Sequence, residues 1–332
     1  MDLSRGSRDP RTAPASVTRV VAPSGEQYEI SGHGYRAVVT ESGATLRLLE
    51  HEGRALVDGF GADEQSSAGR GQLLAPWPNR IADGAYTFGG RRLQLPLSEP
   101  SRHNASHGLV RWAAWTLEEH TSHSVALRYR LMAQSGYPWT LDLHVVYDVS
   151  ADGLTVTQSA TNPATGPATD LEAGPAPYAH GAHPYLTVGA GPCDDWELTL
   201  PAATRTLSDP ERKLPVGREP VDGTEADFRV ARPIRGAVLD HAFTDLTRDD
   251  SGRATVELRD PASGHAVALW VDAAHPWLMV YTGDDNAEGT RRRSVAVEPM
   301  TAQANAFATG EDLLTLPPGA DFSASWGIRT LD

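Results

Sequence analysis

What this sequence lacks narrows its function before any motif is read. It has one cysteine, Cys193, in 332 residues. A single thiol cannot form a disulfide within the chain, and it argues against a zinc site built on cysteines. Its ordinary role is that of a buried or half-buried spectator. No apolar run reaches the roughly 20 residues that a membrane-spanning helix needs, and the N-terminal stretch MDLSRGSRDPRTAPASVTRVVAPSG has no apolar signal core. Basic residues are in deficit, 29 Lys and Arg against 43 Asp and Glu, for a net charge of −14. That balance argues against nucleic acid and anionic membrane as partners, since both require a basic surface. Gly59-Phe60-Gly61 and Gly189-Ala190-Gly191 lack the further glycine and the helix of a dinucleotide fold. Neither a Gly-x-Ser-x-Gly elbow nor a His-Glu-x-x-His zinc motif occurs. The expectation is a cytoplasmic protein that is neither a nucleotide enzyme nor a serine hydrolase.

What is present is short alternation. Hydrophobic residues make up 40% and charged residues 22%, as in a soluble globular protein. Segments near 115–119, 124–132, 140–147, 154–160, 255–259, 266–271, 278–282, 294–297 and 322–328 read as strands, with turn residues between them. Gly89-Gly90, between Ala85-Tyr86-Thr87-Phe88 and Arg91-Arg92-Leu93-Gln94-Leu95, predicts a two-residue hairpin. Residues 1–20 read as a disordered arm and 21–332 as a single all-β domain, a large antiparallel β-sandwich. Residues 162–177 read as a long surface loop. Residues 201–237, rich in proline and charge, read as excursions over the sheet surface. The fair helix candidate is 301–313, weakened by Gly310.

Four short motifs stand out from this background. Asn79-Arg80, between Pro78 and Ile81, holds a guanidinium fork in a proline-stiffened loop, where it suits either a ligand or a surface acid. In Ser106-His107-Gly108-Leu109 the glycine lets the chain turn sharply beside a presented imidazole. His183 precedes Pro184, which biases it to extended backbone. Val295-Ala296-Val297-Glu298-Pro299-Met300-Thr301 ends an apolar strand on a carboxylate. The His120/His123 and His180/His183 pairs have metal-like spacing, yet on a strand positions i and i+3 face opposite ways, so no metal site is expected.

Taken in order, LAPWPNRI-x-x-G-x-Y-x-F, HGLVR-x-x-x-W, G-x-HPY, DH-x-F and VEPMT resemble the aldose 1-epimerases, or mutarotases, over nearly the whole chain. The resemblance implies a galactose-mutarotase-like sandwich with a sugar cleft on one face. It implies His183 as general acid and Glu298 as general base, with Arg80, beside Asn79, and His107 holding the sugar. It implies Asp240 as the acid that grips hydroxyls, and it needs no metal or organic cofactor. Trp77 and Tyr185 are candidates to stack on the sugar, with core packing an equal alternative. The implied partner is a small-molecule sugar; oligomeric state is left open. The motifs depart from the best-known galactose mutarotases, which carry N-H-x-Y-F and E-T-Q where this chain has G-x-HPY and VEPMT. Which sugar is used therefore stays open. An anionic sugar (a hexose phosphate or sulfonate) is an alternative, with Arg102, Arg111 and Arg291-Arg292-Arg293 as candidate contacts. A non-catalytic carbohydrate-binding module on the same fold is another.

Overall fold

The computed structural model describes residues 21–165 and 174–331. The expected N-terminal arm, 1–20, and the middle of the 162–177 loop lie outside the described residues.

A nine-stranded antiparallel sheet forms one layer. Its centre shows why the pattern is β. Leu141–Ser150 alternates buried and half-buried residues along its whole length, and its neighbour Gly153–Thr161 buries Leu154, Val156 and Ala160. Alternation with period 2 puts one face in the core and leaves the other wet. The C-terminal strand, Asp321–Thr330, is inserted between Gly153–Thr161 and Ala266–Val271, pairing Trp326 with Val156 on one side and Ile328 with Leu269 on the other. The sheet is thus completed by the last ten residues described in it.

The opposing sheet runs in the order Pro215–Pro220, Ala202–Ser208, Asp240–Leu246, Trp277–Tyr281, Val295–Met300, Gly181–Ala182, Leu73–Leu74. One contiguous core joins the two layers, with Val295, Val297, Leu278, Val280 and Phe243 meeting Leu154, Val156 and Trp326. Each large apolar side chain so buried contributes about 1.5–3 kcal/mol. A four-stranded sheet, Gln27–Gly32 to Arg54–Ala55, packs beside the nine-stranded one and adds Ile30, Ala37, Val39 and Leu49 to the same core.

Two expectations need correction. Residues 201–237 are not all surface excursions, because Ala202–Ser208 and Pro215–Pro220 are strands of the second sheet. Their prolines hid them. Pro215 and Pro220 sit on the edge strand, where a missing N–H removes no ladder bond that the sheet needs. The helix candidate shrinks to one turn, Ala306–Thr309, bounded by Asn305 at φ 67° and Gly310 at φ 79°. Left-handed residues at both ends stop propagation. The Gly89-Gly90 hairpin forms as expected, with φ 56° and 75° at the two glycines and Ala85 paired to Gln94.

Candidate active site

The floor of the candidate site is the outer face of three strands. Along Trp277–Tyr281, Leu278 and Val280 enter the core, so Met279 and Tyr281 face the other way. Register then fixes their neighbours: Asp240 lies opposite Tyr281, and Glu298 opposite Met279. All four line a cleft of about 360 Å³, a size typical of small-molecule pockets. Loops carrying Gly69, Asn79, Glu99, His107 and Arg111, with Arg80 at the start of the short strand Arg80–Ala82, form its walls.

His183 stands at the back of this cleft. Its N–H donates to the Gln72 carbonyl at 3.0 Å, and its own carbonyl accepts the Gly71 N–H at 2.9 Å. Its ring stacks on Tyr185, with centroids 5.0 Å apart and planes 17° from parallel, and meets His107 edge-on at 5.6 Å. Gly69 closes the remaining side. A Cβ there would sit 2.8 Å from His183 Cδ2, at a backbone φ of 80° that favours glycine. Held this way, His183 Nε2 lies 3.2 Å from Glu298 Oε1. Glu298 Oε2 and His107 Nδ1 are buried without a protein hydrogen-bond partner. Both are polar atoms that a hydroxylated ligand can satisfy.

Electrostatics follow from this burial. Glu298 is 2% exposed, and desolvation pushes its carboxyl well above the usual carboxylate range, with Arg80 opposing and Asp240 reinforcing. Desolvation first, joined by the Arg111, Arg70 and Arg80 charges and opposed by a backbone hydrogen bond, takes the His183 imidazole down to about 3. His107 is lowered for the same reasons. Each shift favours the neutral form, as low polarity demands. At 3.2 Å, Nε2 and Oε1 are within reach for one proton to pass between them.

The turn at His107 is built by its neighbours. His107 has φ 60° and donates its N–H to the Asn79 carbonyl at 2.8 Å. A Cβ on Gly108 would lie 2.0 Å from the Ala75 carbonyl oxygen, so only glycine fits there. Asn79, at φ 52° and 4% exposed, reaches Arg80 Nη1 through Oδ1 at 3.4 Å.

Several expected contacts come out differently. Arg80 lines the cleft, but its fork is engaged by Glu99, at 2.7 Å from Nε and 3.1 Å from Nη2. That bidentate pair fixes the side chain and leaves Nη1 as its freest donor. Asp240 is matched by Lys213 at 2.9 Å. Trp77 is not in the cleft lining: it is buried and packs edge-on against Phe307 at 5.6 Å, so core packing wins over sugar stacking. Tyr185 does line the cleft, yet its ring already faces His183 and the Arg70 guanidinium, 4.8 Å away, and its hydroxyl donates to the Ala68 carbonyl. Its contact is with the imidazole. His180 lies apart from His183, bonded to the Tyr178 hydroxyl and beside His275. Arg292 is tied to Asp194 and Asp284, and Arg293 reaches the Ala190 carbonyl; neither lines the cleft.

Sequence reasoning missed Gly69, Arg70, Glu99, Lys213 and Tyr281. Lys213 lay in a segment with no periodicity, and Glu99 looked like any exposed acid. Tyr281 was detectable in principle, since it alternates with core residues on a strand next to that of Glu298.

Comparison with known proteins bears on the family. The sequence profile of the aldose 1-epimerases matches residues 26–329. The chain is 35% identical over 297 residues to an uncharacterised Escherichia coli protein, YihR, covering 89% of this chain and 90% of that one. It is 27% identical to mouse galactose mutarotase, covering 81% and 82% of the two chains. Among solved structures, a Caenorhabditis elegans homologue of GalM/aldose epimerase superposes with a TM-score of 0.79 at 19% identity, covering 92% of this chain and 99% of that one. The galactose 1-epimerase of Lactobacillus acidophilus gives 0.73 at 21% identity, covering 90% and 92%. The two structures speak for the fold, and the profile over nearly the full length speaks for descent: this chain belongs to the aldose 1-epimerase family.

Proposed function

We propose that the protein interconverts the α and β anomers of a hexose by acid–base opening and reclosure of the ring. The observation that carries this is the buried His183–Glu298 pair, 3.2 Å apart at the back of a polar cleft. With a closed sugar bound, Glu298 as carboxylate accepts the proton of the anomeric hydroxyl while His183 as imidazolium protonates the ring oxygen. The C1–O5 bond breaks, C1=O1 forms, and the pair becomes carboxylic acid and neutral imidazole. Rotation about C1–C2 presents the other carbonyl face, and the reverse transfers reclose the ring. Burial favours the neutral pair, so it favours the proton state that accompanies the open chain. Positioned groups of this kind contribute roughly 10²–10⁴-fold each.

Around that pair, Asn79 holds the His107 turn, and Arg80 and Asp240 face the same cleft for sugar hydroxyls. Tyr185 keeps the imidazole in plane. A module that only binds sugar has no use for a buried acid and base in contact, so the catalytic reading is favoured. The test is polarimetric relaxation of freshly dissolved α-glucose and α-galactose with purified protein, followed by a wider panel of aldoses. Unaltered relaxation across the panel would reject the proposal.

A further inference from the structure

Outside the cleft, the core holds two imidazoles that the proposed reaction does not use. His180 and His275 are both fully buried, and their rings are neighbours, with centroids 5.5 Å apart and planes 45° from parallel. Each has one nitrogen engaged. His180 Nδ1 lies 3.1 Å from the Tyr178 hydroxyl, and His275 Nδ1 lies 2.9 Å from Asp272 Oδ1. Each Nε2 is buried without a protein hydrogen-bond partner. Buried polar atoms are rarely left unmatched, and two of them on adjacent rings suit a shared partner.

The outer bonds fix where the hydrogens sit. Burial raises the Tyr178 phenol, so it keeps its proton. Among the described residues its hydroxyl meets only His180 Nδ1. It therefore donates there, and a neutral His180 carries its own hydrogen on Nε2. Burial holds that imidazole well below its ordinary value, with His275 adding to the effect and Asp272 opposing it, so the ring is neutral. At the other end Asp272 stays a carboxylate. Burial opposes this, but bonds from the His275 ring and from the Ser325 and Ala274 N–H groups prevail. A carboxylate only accepts, so His275 donates from Nδ1 and, as a neutral ring, offers a bare Nε2. The free nitrogens of the two rings are thus a donor and an acceptor.

These groups lie across the elements that carry the catalytic pair. His180 donates its backbone N–H to Thr301 Oγ1 at 2.9 Å and accepts the Thr301 N–H at 2.9 Å. Thr301 directly follows the strand of Glu298, Val295–Met300, and Gly181 pairs with Met300. His275 sits in the turn that leads into Trp277–Tyr281, the floor of the cleft, and Arg248 Nη2 donates to its carbonyl at 2.9 Å.

We propose that Tyr178, His180, His275 and Asp272 form one directed hydrogen-bond chain, closed by a single buried water between the two Nε2 atoms, and that His180 and His275 are positioning residues for His183. The second half of the proposal rests on the 1-epimerase reading above. A chain matched at every step resists rotation of either ring. It ties the segment that carries His183 to the entrance of the floor strand.

The experiment begins with long-range proton–nitrogen NMR correlation on protein labelled in histidine, at neutral pH, with His180→Gln and His275→Gln spectra assigning the two rings. Wild type should show the hydrogen of His180 on Nε2 and that of His275 on Nδ1. Any other pairing, a charged ring included, overturns the chain. Anomer exchange then tests positioning. His275→Leu removes the acceptor and should lower kcat by roughly 10–100-fold, as for a catalytic group misplaced by about 1 Å. KM should stay within about twofold. His275→Gln returns an amide oxygen near the place of Nε2 and should recover most of kcat. An unchanged kcat in His275→Leu, or an equal loss in both variants, overturns the positioning role; circular dichroism checks that both fold. If no sugar exchanges faster with enzyme, the 1-epimerase reading falls and the His183 ring resonances decide positioning. They should move in His275→Leu and return in His275→Gln; resonances that stay in place reject it.

Discussion

In a Glu298→Gln protein the side chain keeps its shape and its place 3.2 Å from His183 Nε2, but it can no longer take a proton. Loss of a positioned general base should slow anomer exchange by roughly 10²–10⁴-fold, or about 3–5 kcal/mol in the barrier. Stability should move the other way. Desolvation raises the folded-state pKa of Glu298 well above its ordinary value. Such a group contributes its full stability below the unfolded-state pKa and loses it as pH rises toward the folded one. The loss is about 1.4 kcal/mol per pH unit across that window. Glutamine has no such dependence. The variant should match wild type below the unfolded-state pKa and become progressively more stable than it as pH rises above that value. Urea melts at several pH values give that difference, and polarimetry gives the rate. A variant that keeps more than about a tenth of the wild-type rate would refute the base assignment. A stability difference that does not change with pH would refute the burial argument.

Other consequences follow from the same geometry. The imidazole of His183 is pushed down to about 3 by burial and then by Arg111, Arg70 and Arg80. Its contribution is thus present above the unfolded value near 6.5 and is lost as pH falls, at about 1.4 kcal/mol per unit. His183→Asn should flatten the decline in stability between pH 6 and 4, and identical slopes in denaturant melts would contradict this. Gly69→Ala places a methyl group 2.8 Å from the His183 ring; a catalytic group displaced by about 1 Å can cost on the order of 10²-fold, so exchange should collapse while the protein stays folded by circular dichroism. Glu99→Ala releases Arg80 and Arg102 together, and should raise KM for the sugar and lower stability by about 1.5–3 kcal/mol. An unchanged KM would show that the Arg80 fork is not positioned by Glu99.

Strand existence was legible because it is a local property. Leu141–Ser150 and Asp321–Thr330 alternate so regularly that any buried face selects β. Where local signals conflicted, the reading failed. Proline masked Pro215–Pro220, although an edge strand tolerates it, and apolar residues suggested a longer helix than the left-handed Asn305 and Gly310 permit. Trp77 and Tyr185 looked alike as stacking candidates. Only packing separated them, with one ring against Phe307 and the other against His183.

The sequence by itself determined the all-β class, the family to which the chain belongs, and the side chains around which a cleft had to be sought. Each of these is written in residue types at short spacing. Tertiary structure alone decided which charges meet. Glu99 with Arg80, Lys213 with Asp240 and His183 with Glu298 join residues 19, 27 and 115 positions apart, and no local rule links them. Pairing across strands and loops decides which cation an acid matches, as Glu99 matches both Arg80 and Arg102. Coulomb energy depends on distance through space, and distance along the chain carries almost no information about it.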